Sequence, residues 1–155
     1  MKNFFLTISL FLFLTSNLNA STLVTKTLDG KDFNLSNTYG KVVIVNFWAY
    51  WCTNCAKKMA ILDELYRDYH DRGLEIIGVS IDDKKDREKV LKRAVKVSYP
   101  NSMLADAKEN DFPDNDYIPV NYIFDRKGNL QVKAGSDSQS LVGKEEIREL
   151  LLRIL

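Results

Sequence analysis

Apolar positions along this chain follow two different periods, and the places where the period changes mark out its elements. Val42-Val43-Ile44-Val45-Asn46-Phe47 runs almost unbroken through β-branched and aromatic side chains, the pattern of a central strand covered on both faces. Beyond it, Met59, Leu62, Leu65, Tyr66 and Tyr69 recur at three- and four-residue spacing and predict a helix over residues 53–69 with one buried face. Gly73 closes that helix. Residues 74–81 are again strongly apolar, so strand, helix and strand form a βαβ unit with the expected right-handed crossover.

The flanking segments complete one domain. Residues 22–27 and 31–35 flank Asp29-Gly30, a dipeptide suited to a tight hairpin turn. Residues 86–97 read as a second, more charged helix with Val90, Leu91, Ala94 and Val95 inward. Residues 99–104 add a short strand or loop, which Pro100 confines to an edge. Residues 106–116 carry five acidic side chains and Pro113. They lack the alternating ligands and central glycine of a calcium-binding loop, so they read as a solvated acidic loop. Residues 120–124 and 130–134 make an antiparallel hairpin about the turn at Arg126 to Asn129. The stripe Ile147, Leu150, Leu151, Ile154 and Leu155 supplies a closing helix.

Both cysteines of the chain, Cys52 and Cys55, stand between the first long strand and its helix. A bridge between them closes a loop of only four residues, worth about 2 kcal/mol against about 3 for a loop of fifteen. So short a staple contributes little to stability. A cysteine at a helix N-terminus, by contrast, faces unsatisfied N–H groups and the positive end of the helix dipole, and both favour thiolate. Cys52 falls where the helix should begin, and Cys55 one turn along is placed to attack a mixed disulfide formed at Cys52. Structural zinc wants four Cys or His donors, and the only other donor of that kind is His70, so no metal site is expected. Cu(I), which accepts two soft ligands, stays open as an alternative.

Residues 1–20 read as an export signal: Lys2 supplies the charge, residues 4–14 the apolar stretch, and Asn19-Ala20-Ser21 the cleavage site. Leu18 is large for the position three residues before the cut, so an uncleaved anchor is the second option. Outside the cytoplasm disulfides persist, and a reactive dithiol there makes, breaks or reshuffles them. Cleavage would remove one base from 22 basic and 21 acidic residues, leaving residues 21–155 as one near-neutral domain. That balance argues against nucleic acid as a partner.

The order strand, Trp51-Cys52-Thr53-Asn54-Cys55, helix, strand, helix, then Ile118-Pro119 before a hairpin and a last helix is similar to a thioredoxin fold: α/β, with a central mixed sheet flanked by helices. With Gly40-Lys41-Val42, Phe47-Trp48-Ala49, Ile77-Gly78-Val79-Ser80-Ile81-Asp82 and Ile118-Pro119-Val120-Asn121-Tyr122, it resembles the TlpA/ResA-like thiol-disulfide oxidoreductases, the exported branch of the thioredoxin superfamily. The N-terminal hairpin and the helix and strand of residues 86–104 resemble that branch's additions.

The resemblance implies that Cys52 is the attacking and Cys55 the resolving thiolate, and that Pro119 is the cis-proline facing the dithiol. It implies that Trp51 and Ile118 join Pro119 in docking substrate. Asn46 stands where cytoplasmic thioredoxins carry a buried aspartate. Lys58 replaces a glutamate often found near the dithiol, and with Thr53, Asn54 and Asn46 it is a candidate for tuning thiol pKa and potential. The implied activity is reduction of disulfides in exported proteins, such as cytochrome c apoproteins. It uses the dithiol alone, without organic cofactor, with a membrane-bound thiol protein as electron donor and a monomer as the working unit.

Across the superfamily potentials run from about −270 to −120 mV, roughly 7 kcal/mol for two electrons, so an oxidase or isomerase stays open. A peroxidase is disfavoured because Ala49 occupies the threonine position of the peroxiredoxin motif.

Overall fold

The computed structural model describes residues 21–135 and 143–155, so the export-signal reading of residues 1–20 lies outside the described residues. Five strands form the central sheet: β3 (Val42–Trp48), β4 (Leu74–Ser80), β5 (Asn101–Met103), β7 (Val120–Phe124) and β8 (Leu130–Gly135). Their order is β5-β4-β3-β7-β8, with β3, β4 and β5 parallel and β7 antiparallel to both neighbours. A second sheet, β2-β1-β6, combines the hairpin of β1 (Leu23–Lys26) and β2 (Asp32–Asn34) with β6 (Glu109–Asn110).

Alternation along β3 assigns its side chains to two cores. Val42 and Ile44 pack against α1 (Thr53–Tyr69) and α3 (Lys144–Ile154) through Leu62, Leu65, Ile147 and Leu151. Val43, Val45 and Phe47 face the other way, under Leu23 and Leu35 of the N-terminal segment and Phe112, which follows β6. With both faces covered, all seven residues of β3 are buried, which explains its unbroken apolar run. A third cluster at the C-terminal end of β3 joins Trp48, Met59 and Met103 to Val90 and Ala94 of α2 (Arg87–Ala94) and to both cysteines.

Close packing at that end depends on Gly78 in β4. A Cβ there would fall 2.0 Å from Asn101 Oδ1 and 2.9 Å from Trp48 Nε1, so only glycine lets these two side chains lie over the strand.

Two expectations need correction. The second helix is shorter than residues 86–97: it ends at Ala94, where Val97 N–H turns back to the Ala94 carbonyl. Val95 therefore points outward, 76% exposed, and Val97 packs inward in its place. The acidic segment is not wholly a solvated loop either. Glu109 and Asn110 pair with β1, and Phe112 is buried between Phe47 and Tyr122, with ring centroids 5.3 and 4.8 Å away. One aromatic anchor outweighs the surrounding carboxylates, and Asp106 is paired by Arg87 and Lys84.

Candidate active site

Cys52 is the N-cap of α1, and its Sγ accepts the Cys55 N–H at 3.0 Å. An atom that carries negative charge as thiolate thus already holds one of the helix's unsatisfied donors, at the positive end of its dipole. The two cysteines are joined as a disulfide, with Cα atoms 5.2 Å apart. Cys52 keeps 7% of its surface exposed and Cys55 none, so an incoming disulfide reaches Cys52 first. Thr53 and Asn54, the residues between, are exposed on the first turn.

The chain returns to this spot at Ile118, whose carbonyl oxygen lies 4.0 Å from Cys52 Sγ. The Ile118–Pro119 peptide bond is cis, and Pro119 is buried. Ile118 packs against the cluster that contains both cysteines. Trp51 stands 63% exposed beside them. Cys52 and Ile118 therefore meet at the end of the sheet, with the exposed Trp51 next to Cys52 in the chain.

Asn46 and Lys58 lie deeper. Asn46 is fully buried in mid-strand and donates through Nδ2 to Asn121 Oδ1 at 2.9 Å, linking β3 to the strand that follows Pro119. Lys58, one turn beyond Cys55, is also buried, and burial holds its ammonium below the usual lysine range, opposed by the Glu146 carboxylate on α3. The lysine is thus less ready to carry charge than its replacement of a carboxylate suggests. His70 sits at the far end of α1, its Nδ1 3.1 Å from the Leu74 carbonyl, remote from the dithiol.

The structure adds a feature that the linear pattern does not reveal. Tyr50, two residues before Cys52, is held on both sides: its N–H donates to Asp82 Oδ2 at 2.9 Å, and its carbonyl accepts from Arg93 Nη2 at 3.1 Å. Asp82 reads in sequence as the start of a polar turn and the last residue of a segment that carries the family resemblance, and Arg93 as one charge on a charged helix; neither reading ties them to Tyr50.

The sequence profile of the AhpC/TSA family matches residues 17–133, most of the chain. The chain belongs to the AhpC/TSA family. Within that family and the thioredoxin superfamily around it, the chain is similar to thiol-disulfide oxidoreductase ResA of Bacillus cereus, with 29% identity over 114 residues, covering 74% of this chain and 66% of that protein. Against ResA of Bacillus subtilis the identity is 26% over 125 residues, covering 80% and 70%. The chain thus spans about two thirds of the length of these relatives.

Among solved structures, a thioredoxin family thiol:disulfide interchange protein of Chlorobium tepidum superimposes with a TM-score of 0.69 at 20% identity, covering 87% of this chain and 94% of that one. That likeness establishes the thioredoxin-like fold. With its Cys52–Cys55 pair, this AhpC/TSA family member is a thiol-disulfide oxidoreductase of the ResA type.

Proposed function

We propose that the protein is exported and works chiefly as a reductant of disulfides in other extracytoplasmic proteins, cytochrome c apoproteins among them. Export and the reducing direction rest on the resemblance drawn from the sequence, while the observation that carries the exchange chemistry in this reading is the placement of Cys52. It is the more exposed sulfur, it sits at a helix N-cap with the Cys55 N–H directed at it, and it lies beside the Ile118 carbonyl. Among the described residues no helix is long and apolar enough to cross a membrane.

The cycle needs no cofactor beyond the dithiol. Cys52 thiolate attacks one sulfur of a client disulfide, forming a mixed disulfide and expelling a client thiolate, which takes up a proton. Cys55 then loses its proton and attacks Cys52 Sγ. The second client thiolate leaves, and the two electrons gained by the client are lost by the dithiol, which becomes Cys52–Cys55 disulfide. A thiol donor protein at the membrane returns two electrons to the oxidised form. Thr53, Asn54, Asn46 and Lys58 set the potential, Trp51, Ile118 and Pro119 dock the client, and the protein acts as a monomer.

Trapping in the native compartment tests the reading. With Cys55→Ser the mixed disulfide at Cys52 cannot resolve, and a small set of client apoproteins plus one membrane donor is expected to accumulate. Capture of many newly secreted, unfolded proteins would instead make it an oxidase or isomerase. Stoichiometric Cu(I) binding without disulfide reductase activity would make it a copper module.

A further inference from the structure

The turn that presents Cys52 runs from Ala49 to Cys52, closed by the Cys52 N–H to the Ala49 carbonyl at 3.1 Å. Its own hydrogen bond leaves the peptide groups of Tyr50 to be satisfied from outside. Asp82, two residues beyond the end of β4, accepts the Tyr50 N–H, and the same Oδ2 takes the Ser80 hydroxyl at 2.7 Å. The aspartate is itself held, because its own N–H donates to Ser80 Oγ at 3.1 Å and it is 7% exposed. Arg93, in the last turn of α2, donates to the Tyr50 carbonyl. Lys89, one turn earlier, lies 4.9 Å above the Tyr50 ring centroid and 3.3 Å from its hydroxyl. One residue of the turn is thereby tied through its N–H, its carbonyl and its ring.

Two of these three ties come from α2, which belongs to the segment between the two halves of the fold. Its inner residues, Val90 and Ala94, also pack in the cluster that contains the cysteines. We propose that Asp82 and Arg93 are positioning residues for the dithiol, which clamp the main chain of Tyr50 so that Cys52 Sγ stays registered on the first N–H groups of α1.

A sulfur displaced from that N-cap loses its contact with the Cys55 N–H, and with it part of what favours thiolate. Misplacement of a reacting atom by about 1 Å costs up to roughly a hundredfold in rate, so ties remote from the sulfur can still control reactivity. The clamp rests on the dithiol being the reactive centre, and the two ideas fail differently. If the dithiol is idle, wild-type protein is inactive too; if the clamp is idle, wild type and clamp variants react alike.

The test uses the reduced full chain, with the pH profile of Cys52 alkylation by iodoacetamide and the rate of reduction of oxidised glutathione as readouts. Arg93→Met keeps the side-chain stem and removes the donor. It is expected to raise the profile's midpoint by about one pH unit, equivalent to roughly tenfold less thiolate below it, and to slow glutathione reduction to match, with partial recovery in Arg93→Lys. Asp82→Ala is expected to behave like Arg93→Met. Asp82→Asn, which retains an oxygen for the Tyr50 N–H, should stay near wild type, as should Lys92→Ala on the outer side of α2. The proposal is overturned if folded Arg93→Met shows an unchanged profile. It is also overturned if Asp82→Asn shifts the profile as far as Asp82→Ala, which would make charge rather than position the cause, or if Arg93→Met unfolds outright, which would make Arg93 a support of the whole domain.

Discussion

Asn46 and Asn121 face each other across the β3–β7 ladder and are joined by a side-chain hydrogen bond of 2.9 Å inside a core closed to water. The bond links the strand that leads into the dithiol to the strand that follows Pro119, so the two halves of the site share one buried polar tie. In such a place an unmatched amide costs its full desolvation penalty. Asn46→Ala should therefore lower unfolding free energy by about 1–3 kcal/mol, measured by urea denaturation. An unchanged midpoint would show that the pair contributes nothing to stability.

The dithiol itself should matter far more for chemistry than for stability. Replacing both Cys52 and Cys55 by alanine abolishes disulfide reduction, while thermal or urea unfolding shifts by no more than about 2 kcal/mol relative to the oxidised protein, the value for closing a four-residue loop. A much larger loss would make the bridge a structural staple.

Lys58 gives a pH signature. Burial lowers its pKa from 10.5 in the folded protein, so the unfolded chain binds more protons over the interval between the two values, and stability rises with pH there. The destabilising effect is complete below the folded pKa and disappears as pH reaches the unfolded one. The difference in urea midpoint between wild type and Lys58→Met should therefore move in favour of wild type as pH rises from 7 toward about 10. A pH-independent difference would rule out a buried ammonium.

At the opposite end of β3, Arg126 ties three separate segments. It donates to the Gly40 carbonyl at 2.8 Å, to Arg72 at 3.1 Å and, through Nε, to Leu155 at 3.0 Å. Gly73, at φ 99°, leaves room for it: a Cβ there would come within 3.2 Å of the guanidinium. Arg126→Ala should cost about 2 kcal/mol. Because the seven residues of β3 put roughly 20 Å between this end and the dithiol, the rate of glutathione reduction at 25 °C should be unchanged. A fall in rate without loss of stability would contradict that separation.

How much of this could be read along the chain follows from the range of each interaction. The strand into Cys52, the helix after it and the pairing of two cysteines on one turn are local patterns, carried by periodicity and spacing within about 30 residues. Phe112 is hidden among carboxylates because a single aromatic has no period, and the outward turn of Val95 is not legible because a helix end is set by what the next turn packs against. The Tyr50 clamp was out of reach for the same kind of reason. It joins residues 32 and 43 positions apart, and hydrogen bonds to main-chain atoms leave no mark in the identity of Tyr50.

By itself the sequence determined the dithiol, its place at a helix start and the α/β order around it, because burial periodicity and cysteine spacing are properties of short segments. Only the tertiary structure decided that Asn46 meets Asn121, that Lys58 is buried, and that Asp82 after β4 and Arg93 of α2 hydrogen-bond the turn before the reactive sulfur. Those relationships arise from closing the sheet and docking the helices on it, which bring distant residues within hydrogen-bond reach and exclude the water that would otherwise satisfy them.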